Sequence, residues 1–377
     1  MPIEHSSDSG ARRSSIHRIA TATTPDAVIE LVTELAGPNA ELFALDHAVD
    51  RLVPVRADSV GDEALRDERR RAMLRCETFH EDDSSWIPIP DRDQPMFVLR
   101  CRQAPAGLDP NALAELGPIM SAHRKRFEAL EHRRRRDEMS TAADLQWDLL
   151  PLRADYSDDL HVAGVLEPAY EVAGDAFDYA FWDGSLWAYA LDGMGHGTNA
   201  TLAVSVAVAA IRNARRRRAG LDEQFEHANR AVFEQWSGDC FVTAIGCRVD
   251  SSATEFVNAG HEPVRTVTGG TVSGLELSAG LPLGIEPDIR YPLQEGLRLA
   301  DGDGIVLLSD GPAGARGAHD GLELGSDELE KFIAESWSDR PLETAHDVLG
   351  RVLDHIGSND VTDDLTAVVI RLQGESQ

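Results

Sequence analysis

The sequence has little of what marks exported, disulfide-stabilised or membrane proteins. Its four cysteines, Cys76, Cys101, Cys240 and Cys247, include no C-x-x-C pair and are too few for a disulfide framework, so we interpret them as buried thiols. The longest nearly apolar run, residues 202–211, is far shorter than the roughly 20 residues that cross a bilayer. The first twenty residues lack the apolar core of a signal peptide. We therefore expect a cytoplasmic protein without membrane insertion.

Positive charge is also scarce. The chain has 36 Lys and Arg against 65 Asp and Glu, a formal net charge of −29. Binding to a phosphate backbone requires a positive surface, so this balance argues against a nucleic-acid partner. Two arginine runs, Arg133–Arg136 and Arg215–Arg218, are the exceptions, and both fall on predicted helices. We interpret them as solvated helix faces.

A length of 377 residues predicts two domains with connecting segments. Residues 1–24 are polar and rich in Ser and Arg, and are predicted to be disordered. Residues 25–110 predict a helix at 25–36, two strands, a charged helix near 62–74 and a hairpin. Their order makes a small α+β domain that resembles a GAF sensory domain.

Residues 111–150 predict a helical linker. Apolar side chains in its first part alternate in steps of three and four, at Leu113, Leu116, Met120, Phe127 and Leu130, with His123 in the same row. This spacing is typical of a coiled-coil seam and predicts a homodimer through the linker helix. A second stripe follows at Ala142, Leu145, Leu149 and Leu152, and would pack under the second domain and move when the first domain changes state. The alternative is that each stripe simply packs on its own domain.

Residues 151–374 predict a second domain of α+β class. Strands are expected at 160–167, 176–182, 185–191, 240–249, 254–258, 263–268, 289–296, 303–309 and 364–373, with helices at 198–217, 222–236, 326–335 and 341–356. Asp183-Gly184 predicts a two-residue hairpin turn, so the pairing should be mainly antiparallel. Helices in two pairs indicate two sheets flanked by helices.

Acidic residues stand beside glycine at the ends of several of these strands. Asp192 lies between a buried strand and a small-residue helix, in the stretch Ala-Leu-Asp-Gly-Met-Gly-His-Gly at 190–197. Asp175, Asp310 and the pair Asp363-Asp364 occupy comparable positions. Each Asp alone fits a turn or a helix cap. Together they could converge on one edge, where hard cations such as Mg²⁺ or Mn²⁺ would offset their repulsion.

Seven segments occur in the order seen in the metal-dependent (type 2C) protein phosphatases, and resemble most the bacterial branch typified by stage II sporulation protein E. They are residues 172–178, 192–197, 241–244, 258–261, 280–284, 307–311 and 363–366. The resemblance spans about residues 145–373. It implies an α-β-β-α sandwich that uses two divalent cations, Mn²⁺ or Mg²⁺, to hydrolyse phosphoserine or phosphothreonine on a protein.

The same resemblance implies roles for individual residues. Asp192 would bridge the two metals, with Asp175 and the Gly193 carbonyl on one side. Asp310 and Asp363 would lie on the other side, and Asp364 is the alternative to Asp363. In the animal branch a His two residues after the bridging Asp is the usual proton donor. Here that position is Met194, so His196 either replaces it as a catalytic residue or shapes the loop.

The implied substrate is a phosphorylated anti-sigma-factor antagonist of the STAS type, in partner-switching regulation controlled by the N-terminal domain. A competing hypothesis is a phosphatase-like binding module that docks partners without turnover. The complete set of carboxylates argues against it, because a degenerate site would be free to lose groups that repel one another. A structural Ca²⁺ protein is a weaker hypothesis, since no stretch matches the EF-hand loop.

Overall fold

The computed structural model describes residues 29–30, 32, 40–45, 51–55, 63–65, 67–91, 94–102, 141–157, 159–167, 174–195, 197–250, 253–318, 320–357, 359 and 361–373. Packing divides the chain into two units, Met1–Glu138 and Met139–Gln377. The predicted segments 1–24 and 111–140 lie outside the described residues, as does most of the predicted helix at 25–36. No helix in the described part of the chain is long and apolar enough to cross a bilayer.

The first unit contains a six-stranded antiparallel sheet. Its elements are β1 (Glu41–Leu45), β2 (Arg51–Pro54), β3 (Glu63–Ala64), α1 (Asp67–Leu74), β4 (Phe79–Glu81), β5 (Ser84–Asp91) and β6 (Gln94–Cys101), in the sheet order β3-β2-β1-β6-β5-β4. The predicted hairpin is present as β5 and β6. The charged helix expected near 62–74 begins only at Asp67, because Glu63 and Ala64 pair with the edge of β2 instead.

The second unit has eleven strands and six helices in its described residues. These are α2 (Thr141–Leu149), β7 (Ala154–Tyr156), β8 (Leu160–Glu167), β9 (Asp175–Trp182), β10 (Ser185–Gly193), α3 (Thr198–Arg216), α4 (Leu221–Trp236), β11 (Val242–Val249), β12 (Thr254–Ala259), β13 (Val264–Thr268), β14 (Thr271–Leu275), β15 (Gln294–Glu295), β16 (Gly304–Leu308), α5 (Gly311–Gly314), α6 (Gly325–Ser336), α7 (Pro341–Ile356) and β17 (Leu365–Leu372).

These elements form four layers. One sheet has the order β15-β12-β11-β10-β9, the other β14-β13-β16-β17-β8-β7, and all strand pairings are antiparallel. Apolar side chains of both sheets face each other in one core, while α3 and α4 cover the outer face of the first sheet. Helices α6 and α7 cover the second. The predicted α-β-β-α sandwich of mainly antiparallel sheets is confirmed.

One hairpin turn and two short strands of the second unit bear on local predictions. The Asp183-Gly184 turn is confirmed, with φ of 53° and 78°, as a hairpin turn with two left-handed residues requires. The strand predicted at 289–296 is wrong except for Gln294–Glu295, because Tyr291 packs into the core beneath α4 against Phe225. Strand β14 was not predicted, because it is largely exposed and lacks a buried alternation.

Helix α2 belongs to the second unit. Leu149 at its end packs against the core under α3, and the Leu149 carbonyl accepts a hydrogen bond of 2.9 Å from Arg212 of α3. Leu145, in contrast, is 44% exposed. Leu149 of the second apolar stripe therefore packs on its own unit, as both interpretations of the linker expect.

Candidate metal centre

The acidic residues are placed by the alternation of side chains along the strands. In β10, Leu186, Ala188 and Ala190 face the core between the sheets, and Asp192 continues this row at the strand end. In β17, Val368 and Ile370 face the same core, and Thr366 and Asp364 continue that row outward. Both sheets therefore deliver carboxylates to the same end of the inter-sheet core.

The structure brings the predicted aspartates together there. Asp192 lies directly opposite Asp175 in the β9–β10 register. Burial first, and then repulsion from Asp310, Asp363 and Asp364, raises the pKa of Asp192 to about 7. The second sheet thus contributes three carboxylates that act electrostatically on Asp192.

The pKa values of two further aspartates, Asp175 and Asp363, are also raised. Burial, followed by the charges of Asp192 and Asp364, raises the pKa of Asp175 well above its usual range, although hydrogen bonds from Ser309 and Thr366 work against this. The Thr366 hydroxyl donates to Asp175 Oδ2 at 2.5 Å. Burial and then the charge of Asp310 raise the pKa of Asp363 to about 6. Each carboxylate is thus destabilised as an anion by its neighbours, which is the condition that a bound cation relieves.

The neighbours Asp363 and Asp364 have different environments. Asp364 is 1% exposed, and its Oδ2 accepts hydrogen bonds from the backbone N–H groups of Gly174 (3.1 Å) and Asp175 (3.2 Å) and from Gln146 Nε2 (2.6 Å). Asp363 is exposed as a residue, although neighbouring segments partly desolvate its carboxylate; its Oδ1 accepts one hydrogen bond of 2.9 Å, from the Asp364 backbone N–H, and it lies within electrostatic range of Asp310. Of the two, Asp363 is therefore the side chain open to a ligand, whereas Asp364 is committed to internal donors.

Two glycines allow backbone to approach the carboxylates closely. A Cβ on Gly174 would lie 2.9 Å from the Gly193 carbonyl oxygen, 3.5 Å from that of Gly195 and 3.6 Å from Asp192 Oδ1. Two carbonyls and a carboxylate thus surround one small space, and any side chain at 174 would crowd it. A Cβ on Gly311 would lie 2.1 Å from the Asp364 carbonyl oxygen, so only glycine lets the segment after Asp310 pack against the start of β17.

Two histidines are candidates near this end of the core, and the structure describes only one of them. His196 lies outside the described residues. His261 is buried, its Nδ1 is 2.8 Å from the Thr243 hydroxyl, and burial lowers its pKa to about 4. Thr243 in turn lies opposite Asp192 across β10 and β11. His261 is therefore a neutral imidazole above about pH 5, hydrogen-bonded within the sheet.

The donor set fits hard divalent cations. Carboxylates from four segments and the Gly193 carbonyl are oxygen ligands of the kind Mg²⁺ and Mn²⁺ prefer. Among the described residues, no group of three or more His, Cys, Asp or Glu side chains is arranged to hold an ion alone. Such an arrangement is not required, because Mg²⁺ keeps several waters and usually binds through one or two carboxylates.

Three residues around the carboxylates were not predicted as site residues. Ser309 and Thr366 contact Asp175, and Gln146 contacts Asp364. Thr366 and Ser309 both lie in the quoted segments, and the two-residue period from Asp364 to Thr366 could have placed Thr366 on the same face. For Gln146 we find no sequence signal, since its partner is 218 residues away.

Comparison with known proteins places this geometry among phosphatases. Residues 183–373, about half of the chain, match the family model described as stage II sporulation protein E (SpoIIE). Phosphoserine phosphatase RsbU of Bacillus subtilis (strain 168) is 26% identical over 239 residues, covering 63% of this chain and 70% of RsbU.

Two solved structures share the fold. The SiaA-PP2C domain of Pseudomonas aeruginosa is 22% identical with a TM-score of 0.54, covering 67% of this chain and 98% of that one. The RsbU and RsbW domains of a Mycobacterium tuberculosis protein are 24% identical with a TM-score of 0.51, covering 58% of this chain and 61% of that one. The chain thus spans less than two thirds of the mycobacterial structure it matches.

Proposed function

Because the chain belongs to the stage II sporulation protein E family of type 2C protein phosphatases, we propose that it is a metal-dependent hydrolase of phosphoserine or phosphothreonine on proteins. One observation carries the proposal. Asp192 stands at the end of the inter-sheet core opposite Asp175, within electrostatic range of Asp310 and Asp363 from the other sheet. A partly buried cluster of like charges is costly unless cations occupy it, so its presence indicates a functional site.

We propose that two divalent cations, Mn²⁺ or Mg²⁺, bind at this cluster. Asp175, Asp192, the Gly193 carbonyl, Asp310 and Asp363 would hold them. Such a pair supplies an activated water and offsets charge on the transferring phosphoryl group. The remaining residues orient the ligands: Thr366 donates to Asp175, and Asp364 binds the amides of Gly174 and Asp175.

The proton donor to the leaving serine oxygen is a separate question. His261 is not suited to this step, because it is buried and its pKa of about 4 keeps it unprotonated near neutrality. His196 remains our proposal as the residue that donates this proton or shapes the loop. Asp192 and Asp310 would then act through the cations.

The substrate we propose is a phosphorylated anti-sigma-factor antagonist of the STAS type. Support comes from the similarity to RsbU, which is named a phosphoserine phosphatase, and from the resemblance of the sequence segments. We further propose that the N-terminal unit, interpreted as a GAF-like sensor, controls turnover in partner-switching regulation. We also propose that two copies of the chain pair through the linker helix, and that the protein is cytoplasmic.

Phosphate release tests the proposal directly. Purified protein should release phosphate from an aryl phosphate, a phosphopeptide or a phosphorylated STAS protein only with Mn²⁺ or Mg²⁺ present. Activity that survives exhaustive chelation would contradict the metal-dependent mechanism. Mn²⁺ binding without turnover on any phosphoprotein would favour the alternative, a catalytically weak binding module that docks its partner.

A further inference from the structure

Gln146 is a buried side-chain amide that contacts the carboxylate cluster from a helix, outside the strand ends that carry the carboxylates. It lies on helix α2 and is 1% exposed. Its Nε2 is 2.6 Å from Asp364 Oδ2 and 2.7 Å from the Asp175 carbonyl oxygen. The two N–H groups of the Gln146 amide therefore donate to two different segments: one to the start of β9, in the first sheet, and one to the residue before β17, in the second sheet.

Both atoms that Gln146 contacts are acceptors, so this position calls for a hydrogen-bond donor. Asp364 Oδ2 already accepts from the backbone N–H groups of Gly174 and Asp175, and Gln146 adds a third donor. The amide Oε1 has no hydrogen-bond partner among the described residues. The two N–H groups therefore set the orientation of the Gln146 amide. In the flipped orientation its oxygen would face two other acceptors, the Asp364 carboxylate and the Asp175 carbonyl.

We propose that Gln146 is a positioning residue for the metal centre. It ties Asp364 to the start of β9, and thereby fixes where Asp175 and the adjacent Asp363 present their oxygens. This inference rests on the proposed function, because it assigns Gln146 a role toward the cations that the cluster would bind. It also makes α2 part of the catalytic apparatus, although α2 precedes every strand of the sandwich.

A purely structural role is the competing explanation, and metal affinity separates the two. Residues that orient metal ligands typically change metal affinity or activity by about 10–100-fold when mutated. Gln146→Leu removes both donors, and Gln146→Asn keeps an amide but shortens its reach by one methylene. For both full-length variants we expect Mn²⁺ affinity to fall by about 10-fold or more, with the KM for an aryl phosphate at saturating Mn²⁺ changed by less than about 3-fold.

The experiment measures free Mn²⁺ by electron paramagnetic resonance during titration of full-length protein, together with thermal unfolding of the metal-free form. Leu145→Ala is an exposed control on the same helix. Gln224→Asn is a matched control, because Gln224 is a buried glutamine that contacts Tyr189 and the Ala219 carbonyl. Both controls should bind Mn²⁺ as the wild type does.

Each outcome decides the question. Folded Gln146 variants with wild-type Mn²⁺ affinity would overturn the positioning role and leave the proposed function intact. If neither variant folds, Gln146 is required for the fold and the positioning role is also wrong. If the wild type itself binds no Mn²⁺, the proposed function fails, and this inference with it.

Discussion

Asp192 and Asp175 lie directly opposite each other on the antiparallel strands β10 and β9. Like charges in this arrangement destabilise a sheet. Here the cost is increased by burial, which is the largest cause of the raised pKa of both residues. The pair is therefore a local instability in an otherwise well-packed sandwich, and it makes stability dependent on protons and cations.

The metal-free protein should become less stable as the pH rises from about 4 to about 7. Asp192 has a pKa of about 7 in the fold and 3.8 ordinarily, so between these values the folded state holds a proton that the unfolded chain has released. At about 1.4 kcal/mol per pKa unit, Asp192 alone accounts for at most about 4 kcal/mol. Urea unfolding in chelator across this range measures the slope.

Asp192→Asn is the control for that slope. His261, with its lowered pKa, contributes in the opposite sense between about pH 4 and 6.5, and Asp175 and Asp363 contribute in the same sense as Asp192. The difference between wild type and variant therefore reports Asp192 together with its repulsion of Asp175. The metal-free variant should be more stable than the wild type at about pH 8, because a repelling charge is gone. Equal slopes in the two proteins would show that the carboxylate is not perturbed.

Turnover should depend on the charges of Asp192 and Asp310. Changing either to Asn keeps the shape of the side chain and removes a ligand charge. We expect the rate of phosphate release to fall by at least about two orders of magnitude if cations stabilise most of the transition-state charge. Circular dichroism should show an intact fold. Near-wild-type rates in both variants would instead favour the binding-module hypothesis.

Substitutions of Asp363 and Asp364 should have different effects, because we expect Asp363 to bind metal and Asp364 to hold the surrounding backbone in place. Asp363 is exposed, so Asp363→Ala should change stability by less than about 1 kcal/mol while weakening Mn²⁺ binding. Asp364→Ala leaves three buried donors without an acceptor and should cost about 3 kcal/mol or more. Denaturant titration and Mn²⁺ titration of both variants test this. The reverse pattern would make Asp364 the ligand.

Much of the second unit could be predicted because its signals are local. The helix expected at 341–356 has those bounds in the structure, where Pro341 occupies the first turn and a buried stripe follows. The convergence of Asp175, Asp192 and Asp310 could also be predicted, because each stands beside a glycine at the end of a predicted strand. These features depend on periodicity and on neighbouring residues, which one sequence displays.

Other features depend on packing between distant segments and could not be predicted. The choice between Asp363 and Asp364 depends on which of two adjacent side chains turns toward the inter-sheet core. The segment around Tyr291 has the sequence pattern of a strand but does not form one, because Tyr291 packs against Phe225 in the core. Gln146 meets Asp364 only through the fold, and a polar residue on a short helix carries no sign of that partner.

The last prediction concerns where the catalytic unit must begin. A chain starting at Met139 keeps α2, whereas one starting at Pro151, the first residue of the domain predicted from sequence, loses Gln146 and the Leu149 carbonyl that Arg212 binds. The shorter chain also exposes the core surface that Leu149 covers. We expect the Met139 chain to fold and bind Mn²⁺ with wild-type affinity, and the Pro151 chain to be less stable and to bind Mn²⁺ at least about 10-fold more weakly.

Light scattering of the same proteins tests the linker. If the seam at 113–130 pairs two copies, full-length protein should have twice its monomer mass, and the Met139 chain should be a monomer. Phosphate release from one substrate by the three chains then separates the effects of α2 from those of the N-terminal unit. Equal Mn²⁺ affinity in the Met139 and Pro151 chains would show that α2 is dispensable to the site. A monomeric full-length protein would show that the linker does not pair.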